Sequence, residues 1–135
     1  MENDRHALLE PELADLLAEH GAPPTVLAAC RLAAVAAGIR DGGAAQALEA
    51  LSSAGPDRAL AEVSQQLAVQ YDQAAWAAQE RGLDAEYDSL FRQARAAAAL
   101  AFAHSGDARD ALHEAAHAYG DSEQFANALS AALST

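Results

Sequence analysis

Lysine is absent from this chain of 135 residues, and its eight basic residues, all arginine, face twenty acidic ones. The resulting formal charge of −12 repels phosphate and anionic lipid. That excludes direct binding to a nucleic-acid backbone and argues against a membrane surface. A basic protein partner or a cation suits such a surface better. Without lysine there is no G-x-x-x-x-G-K-[ST] phosphate loop, and no G-x-S-x-G nucleophile elbow occurs either. The acids run from Glu2 to Glu123, so a disordered acidic tail is not the source of the charge. Two explanations stay open for acid excess without lysine. One is GC-rich codon usage; the other is adaptation to a salty cytoplasm, where screening relieves carboxylate repulsion.

The only cysteine, Cys30, rules out an intramolecular disulfide. Within Val26-Leu27-Ala28-Ala29-Cys30 it reads as a small buried hydrophobe. Aromatic residues make up only 5% of the chain against 39 alanines, so Leu, Val and Ala must build the core. The most apolar stretch, Val26 to Ile39, is 14 residues long and contains Arg31, too short to span a bilayer. Met1-Glu2-Asn3-Asp4-Arg5 has neither the basic start nor the apolar run of a signal peptide. The expectation is a soluble cytoplasmic protein.

No segment alternates with period two and β-branched residues are sparse, which predicts an all-α protein. Pro11 opens a first short helix with Leu13, Leu16 and Leu17 as its stripe, and Gly21 ends it. Pro23-Pro24 predicts an extended linker, after which Thr25 caps a second helix running to about Ala37. Asp41-Gly42-Gly43 reads as a loop before a short helix over 44–52.

Asp57 is the expected N-cap of a long helix ending at Arg81-Gly82. Its seam is Leu60, Val63, Leu67, Tyr71, Ala74 and Ala78. A second long helix runs from Asp84 to about Ser105, with Tyr87, Leu90, Ala94, Ala97 and Ala101 in the same rhythm. Two shorter helices follow, each started by an Asp after a Gly, at Asp107 and Asp121. The predicted fold is therefore a single helical bundle of about five to seven helices. It comprises short helices over 1–55, a central antiparallel hairpin over 57–105, and C-terminal helices over 107–133.

Ala99, Phe102, Gly106-Asp107, Ala111 and Ala118 together resemble one tetratricopeptide hairpin over about 20 residues. The leading Trp and closing Pro of that pattern are missing, and no second copy lies upstream. The segment reads as an ordinary helical hairpin.

One motif carries chemistry. His113-Glu114-Ala115-Ala116-His117 matches H-E-x-x-H, the spacing of zinc hydrolases. On a helix both imidazoles reach one Zn²⁺ while the Glu between them activates water. Gly120 and Glu123 extend the resemblance to the zincins. It implies His113, His117 and Glu123 as zinc ligands and Glu114 as the catalytic general base. Against it, the extended pattern ends in His or Asp rather than Glu. The downstream Met turn is missing too, since the only Met is Met1, and no strand is available to hold a substrate. The helical wheel also sets His113, His117 and Asp110 on a polar face opposite Leu112, Ala115 and Ala116. Glu114-x-x-His117 is similar to half of a di-iron bundle site, but the second pair that such a site needs is absent.

His104, one step past Ala101, reads as a half-buried, hydrogen-bonded core histidine. Arg92 and Arg95, near Asp88, read as solvated surface. The functional expectation is a non-catalytic protein–protein interaction or regulatory module, acting on a protein partner or as a homodimer, with no cofactor. Trp76, Phe91, Phe102 and Phe125 are candidate anchors, with core packing the expected use of each. The alternative is a metal-binding protein built on the H-E-x-x-H helix, extending to zinc-dependent hydrolysis.

Overall fold

The computed structural model describes residues 10–134; the segment Met1–Arg5, read above for a signal peptide, lies outside them. Seven helices appear among the described residues: α1 (Pro11–His20), α2 (Ala22–Ala37), α3 (Gly42–Ser53), α4 (Arg58–Glu80), α5 (Asp84–His104), α6 (Ala108–Tyr119) and α7 (Ser122–Leu133). The all-α bundle with a long central hairpin is the observed fold, and no strand occurs among the described residues. No helix there is long and apolar enough to cross a membrane.

Local chemistry sets most helix ends. Asp57 accepts hydrogen bonds from the amides of Ala59 and Leu60, at 2.8 and 3.3 Å. Asp107 caps Asp110, and Asp121 caps Gln124. Each carboxylate satisfies an N–H that has no partner inside its helix and meets the positive end of the helix dipole. The α4–α5 corner turns on Gly82, held at φ +74°, where residues with a Cβ are strained. Leu83 N–H bonds Ala78 O, and Gly82 N–H bonds Gln79 O, the paired bonds of a Schellman ending.

Two boundaries differ from expectation. Pro23 and Pro24 make no linker; they sit in the first turn of α2, which starts at Ala22 directly after Gly21. First-turn amides need no partner, so two prolines cost nothing there, and Thr25 N–H makes the first bond back to Gly21 O. Asp41-Gly42-Gly43 is not a loop either. Asp41 accepts from Gly43 N–H at 2.7 Å and starts α3 at Gly42.

The long helices pack through a seam that keeps Leu67 and Ala78 of the predicted one but is rotated elsewhere. Ala61, Ser64, Leu67, Ala68, Ala75 and Ala78 are the buried residues of α4, whereas Val63 and Ala74 are exposed. They meet α5, in which Ala94 and every residue from Ala96 to Ala101 are buried. Methyl-sized side chains on both partners let the backbones approach closely, so the smallest residues face inward and the larger Val63 turns out. Helix α5 is covered by α2, α3, α4 and α6, while α4 packs mainly on α5, with α3 beside it. Among the described residues no helix covers the outer face of α4. Phe125, Leu13, Leu100, Leu112 and Leu129 supply the bulk of the core.

Candidate functional site

The H-E-x-x-H residues lie on α6, which begins at its Asp107 cap and ends at Gly120. His113 and His117 lie one turn apart, with ring centroids at 4.5 Å and ring planes tilted by 59°. His117 Nδ1 donates to the His113 carbonyl oxygen at 2.9 Å, which leaves Nε2 as the lone-pair nitrogen of the neutral, exposed ring. Beside the two rings is a crevice of about 230 Å³ that Glu10 and Ser122 also line. Glu123 is exposed in the first turn of α7. Among the described residues no group of three His, Cys, Asp or Glu is placed to hold a metal.

Glu114 takes a different course from its neighbours. It is buried, 7% exposed, and its Oε1 accepts from Arg95 Nη1 at 2.8 Å. Arg95 also donates through Nη2 to Asp72 at 2.7 Å, and its guanidinium sits over the Phe91 ring at 5.4 Å. One arginine on α5 therefore ties α4 to α6 through two carboxylates. Arg95 Nε is buried without a hydrogen-bond partner.

Arg92 departs from expectation as well. Its Nε and Nη2 donate to the carbonyls of Ala118 and Tyr119, at 2.8 and 2.7 Å, and so close the C-terminus of α6. Neither arginine is the solvated residue expected from its place near Asp88. Asp110, set on the polar face by the helical wheel, is buried instead.

His104 is more deeply placed than a half-buried ring, at 3% exposure. Its Nδ1 accepts from Asp57 N–H at 2.9 Å, so Nε2 carries the proton and donates to Ala47 O at 2.8 Å. This ring pins α3 and the start of α4 to the end of α5.

The four aromatic anchors divide. Phe125 is fully buried, and Phe102 is partly buried against the core. Phe91 lies under Arg95. Trp76 is 70% exposed on the outer face of α4. Val69 is exposed one heptad before it, so both project from nearly the same side of the helix. Gln65, Gln66, Gln70, Gln73 and Gln79 are exposed around the pair. From Val63 to Gln79 the only charged residue is Asp72, which Arg95 neutralises. This charge-poor stretch was visible in the sequence. That no other helix covers it is a tertiary fact, since among the described residues α4 packs mainly on α5 with α3 beside it. No known family model, curated protein or solved structure matches this chain.

Proposed function

We propose that the chain is a non-catalytic protein-interaction module that docks through the outer face of α4. The observation that carries this reading is Trp76, a tryptophan 70% exposed on a face that carries no unpaired charge from Val63 to Gln79. Leaving a large aromatic side chain in water forgoes the burial that stabilises folding. Tryptophan is also the residue most often found at the energetic centre of interfaces, ringed by contacts that exclude water. The five glutamines around it can hydrogen-bond a partner without the desolvation cost of a charge.

Replacement of Trp76 by Glu tests the reading. A docking residue leaves the unfolding free energy within about 0.5 kcal/mol of wild type, as surface substitutions do. A tryptophan integral to the core would cost about 3–5 kcal/mol on truncation. The same variant, immobilised beside wild type, loses any bound partner. Retention of every partner by the variant refutes the reading.

His113 and His117 support a second reading, metal binding. The bond from His117 Nδ1 to the His113 carbonyl orients a free Nε2, and imidazoles one turn apart can chelate Zn²⁺ or Cu²⁺. The hydrolytic extension requires Glu114 to leave Arg95 before it could act on water. Metal analysis of untagged protein tests it: a stoichiometric metal that disappears in His117→Ala favours this reading over docking alone.

A further inference from the structure

Building on the α4 docking reading, we propose that the occupant of this face is a second copy of the chain, laid antiparallel on α4 about a two-fold axis. Charge argues first. Two copies carrying −12 each repel over most of their surfaces, so they can meet only where neither presents net charge. The middle of the outer face of α4 meets that condition: from Val63 to Gln79 its one carboxylate, Asp72, is bonded to Arg95, and the exposed Glu62 and Glu80 stand at its two ends. A basic partner drawn in by the acidic field would be met by acids, whereas the stretch between Glu62 and Glu80 presents glutamines.

Symmetry argues second. A two-fold interface must be self-complementary, with residue i against j and j against i. An axis crossing α4 between Asp72 and Gln73 lays each Trp76 against the Val69 position of the other copy. The two apolar residues of the patch then bury each other twice. Gln66 comes opposite Gln79, and Gln65 opposite Glu80, so the flanks pair amide with amide or amide with carboxylate. Helix α4 lies at the edge of the bundle, and its 23 residues extend for roughly 34 Å at 1.5 Å per residue. Two such helices can meet along that length.

Salt separates this occupant from a basic one. The Debye length falls from about 30 Å at 0.01 M to about 8 Å at 0.15 M ionic strength, which screens the repulsion between copies. Self-association therefore strengthens as salt is added, while capture of a basic partner weakens. Light scattering coupled to size exclusion, across protein concentration and salt, should show mass rising from 13.9 kDa toward twice that value. Trp76 is the only tryptophan, so its fluorescence should blue-shift along the same curve.

Trp76→Ala should weaken the dimer by at least about thirtyfold, the size of a hot-spot truncation, with helicity unchanged. Val69→Glu should act in the same direction. Val35→Glu, at an exposed valine on α2, should leave the dimer intact. A monomer at every concentration and salt overturns the proposal, as does a dimer indifferent to Trp76 or equally broken at Val35. If the chain is monomeric yet loses another partner on Trp76→Glu, self-association falls and the docking reading stands. If Trp76→Glu instead collapses stability, the docking reading falls with it.

Discussion

Replacing Glu114 by Ala separates a structural carboxylate from a reactive one. Its side chain is 10% exposed and accepts a charge-assisted hydrogen bond from Arg95 at 2.8 Å. Breaking a fully buried pair by deleting one partner costs about 3–5 kcal/mol, since the remaining charge is stranded. Arg95 is not fully stranded here. It keeps Asp72 at 2.7 Å and remains 21% exposed, so water recovers part of the loss. A charged hydrogen bond at roughly 1.5–3 kcal/mol is the better guide, and about 2 kcal/mol is the expected cost. For a chain of this length that lowers Tm by about 6–8 °C.

Thermal and urea unfolding followed by circular dichroism reads the change, with His117→Ala as the control. That exposed ring should alter stability by no more than about 0.5 kcal/mol. A double-mutant cycle with Arg95→Met should return a coupling of at least about 1 kcal/mol between positions 95 and 114. If Glu114→Ala is neutral while His117→Ala destabilises, the assignment of Glu114 to the α4–α5–α6 tie is refuted.

Three further outcomes follow from the same geometry. His104→Ala strips partners from Asp57 N–H and Ala47 O. It should cost about 3 kcal/mol in urea unfolding, and a loss below about 0.5 kcal/mol would contradict the bridging role. Burial pushes the Cys30 thiol up from its ordinary 9.0 to about 12. Native protein should therefore resist thiol reagents at about pH 8 and react only once unfolded. Because the folded value is the raised one, the thiol's contribution to stability is complete below pH 9.0. That contribution falls as pH climbs toward 12, by up to about 1.4 kcal/mol per unit. A stability curve flat through this window would count against a buried thiol. Gly38 closes α2 at φ +70° with open space where a Cβ would stand. Gly38→Ala should cost about 1 kcal/mol from backbone strain alone, read as a shift in the urea midpoint; no shift would remove the left-handed assignment.

Local signals in the chain were enough for the helices themselves. Asp57, Asp107 and Asp121 cap helices because each carboxylate reaches an amide two or three residues on, an interaction complete within one turn. Gly21, Gly38 and Gly82 end helices because positive φ is a property of the single residue. The long hairpin and the all-α class follow from such signals and from apolar spacing.

Tertiary structure decided what each face meets. The apolar period of α4 fits both the expected seam through Leu60 and Val63 and the observed one through Ala61 and Ser64. Only the alanine surface of α5, which rewards close approach, selects the second. Val69 and Trp76 point away from either seam; what the tertiary structure decides is that, among the described residues, the other helices pack on the far side of α4 and leave them exposed. Arg95 looked solvated because its partners, Asp72 and Glu114, lie 23 and 19 residues away on other helices. Charge pairing over such separations is set by three-dimensional packing, and helix periodicity carries no record of it.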